Sequence, residues 1–140
     1  MQAGAFMAGY SNKALSVRLG LKSGMRAHTI DAPENYPEML NPLPDKVRFL
    51  VRLAPGMDFI HVFAGTRSAL LKALPRAVPA LSVNGMLWIS WPKRASGIVT
   101  DIGENDVRRE GLAAGLVDVK ICAVDETWSG LKFVYRLRDR

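Results

Sequence analysis

Three short stretches of the sequence hold most of the side chains able to do chemistry. "DAPEN" carries Asp31 and Glu34, "WPK" carries Trp91 and Lys93, and "DETWSGLK" carries Asp125, Glu126, Trp128 and Lys132. Carboxylates so placed can act as general bases or bind hydroxyls. A tryptophan two residues before a lysine offers an aromatic platform beside a phosphate-binding ammonium. Asp125 and Glu126 can act on a substrate or hold a cation, and Lys132 can neutralise them.

Each stretch also has a structural use. Asp31 and Glu34 suit the capping and dipole compensation of a short helix, and that use has the better claim on them. Trp91 can pack at a strand end, with Pro92 blocking further pairing. Gly130 suits a turn. For Asp125, Glu126 and Trp128 ligand contact has the edge, because an exposed, chemically mixed loop is a costly place for tryptophan.

Other chemistries lack their signatures. No spaced histidines, clustered cysteines or carboxylate pattern supports a metal site. No Gly-x-Ser-x-Gly elbow supports a hydrolase, and Ser90 sits plainly within an apolar run. Ser96 and Gly97 are too few for a phosphate loop. His28 and His61 fall in predicted strands, and His61, between Ile60 and Val62, reads as a satisfied core histidine. Thr100 or Asp101 reads as the cap of the helix that follows.

These residues need elements to position them. The chain has 140 residues, 49% hydrophobic and 23% charged, which suits one globular domain over 11–140 with a loose arm over 1–10. Met7 reads as a native start. "SNKALSVRLG" predicts a helix capped by Ser11 or Asn12 and stopped by Gly20. "MRAHTI" predicts a strand, "APENYPEML" a short helix with Pro33 at its first position, and "DKVRFLVRL" a strand. "MDFIHVF" reads as a central parallel strand. Thr66 caps a helix whose far end Pro75 and Pro79 should make irregular. "NGMLWISW" is a buried strand, "DIGENDVRREGLAAGL" a helix closed by Gly115, and "VDVKICAV" and "LKFVYRL" a final strand pair. The order α-β-α-β-β-α-β-α-β-β predicts an α/β, Rossmann-like domain: a mostly parallel sheet of about six strands, helices on both faces, and a terminal antiparallel pair. The last connection is too short for a parallel crossover.

That layout resembles the class I, S-adenosylmethionine-dependent methyltransferase fold, shortened. "LGLKSGMRAHTI" resembles the run into its first strand, "MDFIHVF" and "GMLWISW" its fourth and fifth strands, and "GLVDVKICAV" with "LKFVYRL" its last two. The third strand and its helix are missing. From Met7 on, "MAGYSNK", "DAPENY", "DFIHVF", "LWISWPKRASGIVTDI" and "GLVDVKICAVDETWSGLKF" resemble a small bacterial family of unknown function. The methyltransferase resemblance implies a glycine-rich turn after the first strand and an acid ending the second, the first so that backbone can approach the cofactor and the second to hold its ribose. Here the first turn, "IDAPENY", has no glycine, Pro33 removes a donor, and Arg52 or Leu53 stands where the acid belongs. On that ground no cofactor is expected and S-adenosylmethionine is disfavoured.

Ligands of an open α/β sheet bind beyond the carboxyl ends of its parallel strands, near the reversal of strand order. Asp31, Glu34, Trp91, Lys93, Asp125, Glu126 and Trp128 are expected to converge there. The leading expectation is a non-catalytic binding module for a small molecule or a protein. One alternative is a residual transferase using an anionic, nucleotide-like ligand near Arg52, Lys93 and Trp91. Another is a nucleic-acid partner of the +6 chain and its "YRLRDR" tail. The single Cys122 reads as a buried, inert thiol. With no leader-like start and no apolar run of membrane length, a cytoplasmic protein without a membrane partner is expected.

Overall fold

The computed structural model describes residues 13–140. The arm over 1–10, Met7, and the capping residues Ser11 and Asn12 lie outside the described residues. A single helical turn, α1 (Leu15–Arg18), ends at Gly20, whose φ of 87° is open to glycine at no steric cost. Then follow β1 (Arg26–Ile30), α2 (Tyr36–Leu40), β2 (Arg48–Phe49), β3 (Met57–Phe63), α3 (Arg67–Ala80), β4 (Leu81–Pro92), α4 (Glu104–Ala113), β5 (Leu116–Ala123) and β6 (Trp128–Tyr135). The element order is the one the sequence predicts.

All six strands form one sheet in the order β2-β1-β3-β4-β6-β5. The first four are parallel, and β6 runs antiparallel to both β4 and β5. Strand order reverses between β1 and β3. The carboxyl ends of β1, β3, β4 and β5 therefore share one edge, where the predicted site loops lie.

Alternation along the strands divides the core in two. On one face Ile60, Val62, Leu87, Ile89 and Trp91 meet Leu70, Leu74 and Ala77 of α3 and Val107 of α4. On the other, Phe59, Phe63 and Trp88 meet Leu15 and Leu19 near α1 and Tyr36 and Leu40 of α2. Each large apolar side chain so buried contributes about 1.5–3 kcal/mol. The Trp88 indole N–H is satisfied by donating to the Leu19 carbonyl at 2.8 Å.

Several local readings change. Helix α2 opens on Tyr36 with Pro37, not Pro33, in its first turn, where proline forfeits no intrahelical bond. Helix α3 runs unbroken through Pro75 and Pro79, both on its exposed side. Burial of Leu70, Ala73, Leu74 and Ala77 outweighs the bonds the prolines remove. Thr66 does cap α3, accepting from the Ala69 N–H at 3.1 Å. Helix α4 is capped at Gly103, whose N–H donates to Asp106, while Thr100 and Asp101 reach back to the Gly65 carbonyl and the Arg67 N–H. Strand β2 is only two residues long, and its ladder with β1 stops beside Ala27. Residues 50–56 then return to β3 across β1 with no helix between.

Gly130 is not a turn residue. It lies in β6, opposite Ser90 and Cys122. A Cβ there would stand 3.1 Å from Ser90 Oγ and 3.2 Å from the Trp88 ring. Close packing, not turn geometry, requires the glycine.

Candidate functional site

The carboxyl edge is built from the loop after β1 (31–35), the loop after β3 (64–66), the long loop after β4 (93–103) and the β5–β6 connection (124–127). An aromatic row spans it on the α2 face. Tyr36 meets Phe63 edge-on with ring centroids 5.4 Å apart, and Phe63 meets Trp128 edge-on at 5.1 Å. Trp128 is half-buried against this row. The Tyr36 hydroxyl lies 2.8 Å from His61 Nδ1, and His61 Nε2 lies 2.7 Å from Ser90 Oγ. The imidazole stacks on Phe63 and is fully buried, which pushes its pKa down to about 3. Burial likewise pushes the Tyr36 phenol up. These three groups resemble a catalytic relay in type only. Ser90 is wholly buried and beyond the reach of any substrate, so the set is a satisfied polar core.

The predicted site residues divide accordingly. Asp125 Oδ1 accepts from the N–H groups of Thr127, at 2.9 Å, and Trp128, at 2.8 Å, and so folds its own loop. The Lys93 N–H donates to the Thr127 carbonyl at 2.7 Å, which joins "WPK" to "DETW". Glu126 is exposed at the tip of that connection. Trp91 departs from its predicted placement beside Trp128: it is buried on the α3/α4 face, the face opposite Trp128, where it lines a hollow with Pro92, Arg94 and other residues of the loop after β4. Lys132 departs too. It sits mid-strand in β6, opposite Trp88 and Lys120, well inside the edge where Asp125 and Glu126 lie. Glu34 is exposed before α2. The three loops do not share one of the hollows at this edge: Asp31 lines two of them, and Trp91 lines another with the loop after β4.

An open cleft instead lies where strand order reverses. Because β2 is so short, the sheet beside Thr29 and Ile30 is left open. A cleft of about 600 Å³ there is lined by His28, Ile30, Asp31, Arg52 and Arg76. A second hollow, about 330 Å³, shares Ile30, Asp31 and Arg76 with it and runs along α3 past Thr66, Ser68 and Lys72. Asp31, at φ 58°, ends β1 in a left-handed turn that directs the chain away from the sheet. Among the described residues, no ion pair or side-chain hydrogen bond involves the carboxylate of Asp31 or the cations of Arg52, Lys72 and Arg76. His28 is fixed by its Nδ1 contact, 2.8 Å, with the Leu50 carbonyl. Sequence reasoning named Asp31 and Arg52 but missed Lys72 and Arg76. Their spacing of four on one helix was the available signal.

Fold and cleft together define a class. The chain has a Rossmann-like fold of the class I methyltransferase kind. Solved structures with this fold include a fibrillarin from Aeropyrum pernix with natively bound S-adenosyl-L-methionine (13% identity, TM-score 0.55, covering 86% of this chain and 73% of that one). They also include the DhpI–SAH complex (11%, 0.58, 96% and 88%) and an S-adenosylmethionine-dependent methyltransferase from Aquifex aeolicus (18%, 0.52, 84% and 85%). No family model and no curated protein matches the chain. The expectation of no cofactor is corrected by these likenesses: proteins of this fold are solved holding S-adenosylmethionine or SAH. That expectation weighed only the glycine turn and the β2 acid. It overlooked a cleft at the same place in the fold lined by other polar side chains. Among the described residues no helix is long and apolar enough to cross a membrane, and no group of three or more His, Cys, Asp or Glu could hold a metal ion.

Proposed function

We propose that the cleft at the β1/β3 reversal binds an adenosyl ligand with an anionic end, S-adenosylmethionine being the first candidate. The observation that carries this reading is the coincidence of place and chemistry. The fold's ligand position holds a free carboxylate, Asp31, facing unpaired cations at Arg52 and Arg76. Asp31 would accept from the sugar hydroxyls. Arg52 and Arg76 would meet the anionic end, which is a carboxylate in S-adenosylmethionine and a phosphate in an adenine nucleotide. With no glycine in the first turn, side chains take over the contacts that backbone makes elsewhere. When bound, S-adenosylmethionine supplies an electrophilic methyl group. The protein's own part is to hold the adenosyl body against Ile30 and Leu53 and to fix its charged end.

Calorimetric titration with S-adenosylmethionine, SAH and ATP in turn tests this and separates the two anionic ends. Binding of at least one, weakened about tenfold or more by Arg76→Glu, is the expected result. Release of SAH from bound S-adenosylmethionine in the presence of an acceptor would extend the reading from binding to transfer.

A further inference from the structure

Far from that cleft, between α1 and the free edge formed by β5, lies another cavity, of about 470 Å³. Arg18, Lys120, Cys122 and Ser129 line it, together with Lys13 and the apolar Val17 and Ile121. Among the described residues that line it, none is acidic. The Arg18 guanidinium is held in its wall. Nη1 of Arg18 donates to the Ala123 carbonyl at 2.7 Å and contacts Cys122 Sγ at 3.2 Å. Nε of Arg18 is buried and has no hydrogen-bond partner. Lys120 is held in place by donating to the Arg18 carbonyl at 2.9 Å.

Positive charge continues beyond the cavity wall. Lys120 and Lys132 are direct cross-strand neighbours on β5 and β6, an arrangement that repels. Lys132 is half-buried and extends towards the turn at Gly20. Desolvation, then the charges of Lys120 and Lys22, hold its ammonium below the usual lysine range. A buried guanidinium N–H without an acceptor and lysines crowded face to face both destabilise the protein alone. An anion in the cavity would offset the crowded positive charge of Arg18, Lys120 and Lys132.

We infer that the cavity between α1 and the β5–β6 edge is a binding site for a small phosphate-bearing molecule. Arg18 and Lys120 hold the phosphate, and Val17 covers the organic part. Val17 is about half exposed, 54%, and gains cover when the ligand sits. A concavity of about 470 Å³ suits a small ligand better than a nucleic-acid strand.

Cys122, the sole cysteine, lines the cavity and reports on it. Inorganic phosphate and phenyl phosphate are titrated at fixed ionic strength, and alkylation of Cys122 by iodoacetamide is timed. Alkylation is expected to slow saturably, with phenyl phosphate acting at lower concentration than phosphate. Arg18→Gln is expected to weaken the effect about tenfold or more. Lys132→Met serves as a folded control, because it removes the crowding without touching the cavity wall. It is expected to melt above the wild type in chloride and to gain less from phosphate. Unchanged alkylation with either probe, or equal protection in Arg18→Gln, overturns the proposal. So does a Lys132→Met protein that melts no higher than the wild type and gains as much from phosphate. Protection by a short single-stranded RNA and not by either probe would overturn it in favour of a nucleic-acid site.

Discussion

Burial of His61 makes the fold sensitive to mild acid, and the sign follows from the pKa. The imidazole is neutral in the folded protein down to about pH 3, against an ordinary value of 6.5 in the unfolded chain. Above pH 6.5 both states are neutral and the histidine adds no pH dependence. Below 6.5 the unfolded chain takes up a proton that the folded protein refuses, so stability falls as pH falls. Each pH unit in that window removes about 1.4 kcal/mol, so roughly 2 kcal/mol is lost at pH 5 and roughly 5 kcal/mol by pH 3. Against a typical total of about 5–15 kcal/mol, this is a large share. His61→Gln keeps an amide that can bond Tyr36 and Ser90 but cannot titrate. At pH 7 it should lie below the wild type by about 1–3 kcal/mol, from lost packing and imperfect bonds. Urea denaturation of both proteins between pH 7 and 5 should show that gap closing by roughly 2 kcal/mol. Asp106 and Asp118, held below the ordinary carboxylate range by a Gly103 N–H and by Arg108 respectively, titrate at lower pH and leave this window clear. Two denaturation curves that descend in parallel from pH 7 to 5 would refute the reasoning.

Further perturbations address packing and loop structure. Gly111→Ala puts a methyl group into the Phe133 ring, so despite alanine's better helix propensity it should cost about 1–3 kcal/mol in thermal or urea unfolding. Asp125→Ala removes the acceptor of two N–H groups that folds the β5–β6 connection; it should cost about 1–2 kcal/mol and shift Trp128 emission to the red. Asp101→Ala frees the Arg67 N–H at the start of α3 and should cost about 1 kcal/mol, whereas Thr100→Val leaves that bond in place and loses the bond to the Gly65 carbonyl and the one from the Ile102 N–H.

The elements were legible in the sequence because period and punctuation agreed. "MDFIHVF" is continuous and apolar as a strand buried on both faces must be, and Thr66, Gly20 and Gly115 mark helix ends through capping and positive φ. Prolines misled in α3, where the core face holds the helix together whatever the exposed face carries. The short β2 was illegible, because "RFLVRL" alternates like a longer strand and only the crossing of residues 50–56 ends it. Of the residues lining the proposed cleft, Asp31 and Arg52 were named from topology. Lys72 and Arg76 were lost among surface charges, since facing a cleft is a property of packing and not of composition. Trp91 read as a strand end and Trp128 as part of a loop, yet both lie on paired strands. The pleat sends Trp91 to the α3/α4 face and Trp128 to the other, and one residue of register decides between them.

The central claim is that the β1/β3 cleft takes an adenosyl ligand through Asp31, Arg52 and Arg76. Its most direct test is calorimetric titration of the wild type and of Arg52→Glu/Arg76→Glu with S-adenosylmethionine, SAH and ATP. Saturable binding of at least one of the three by the wild type, abolished in the double variant while its melting temperature is retained, is the predicted result. No heat with any of the three, or binding unchanged in a folded double variant, would contradict it.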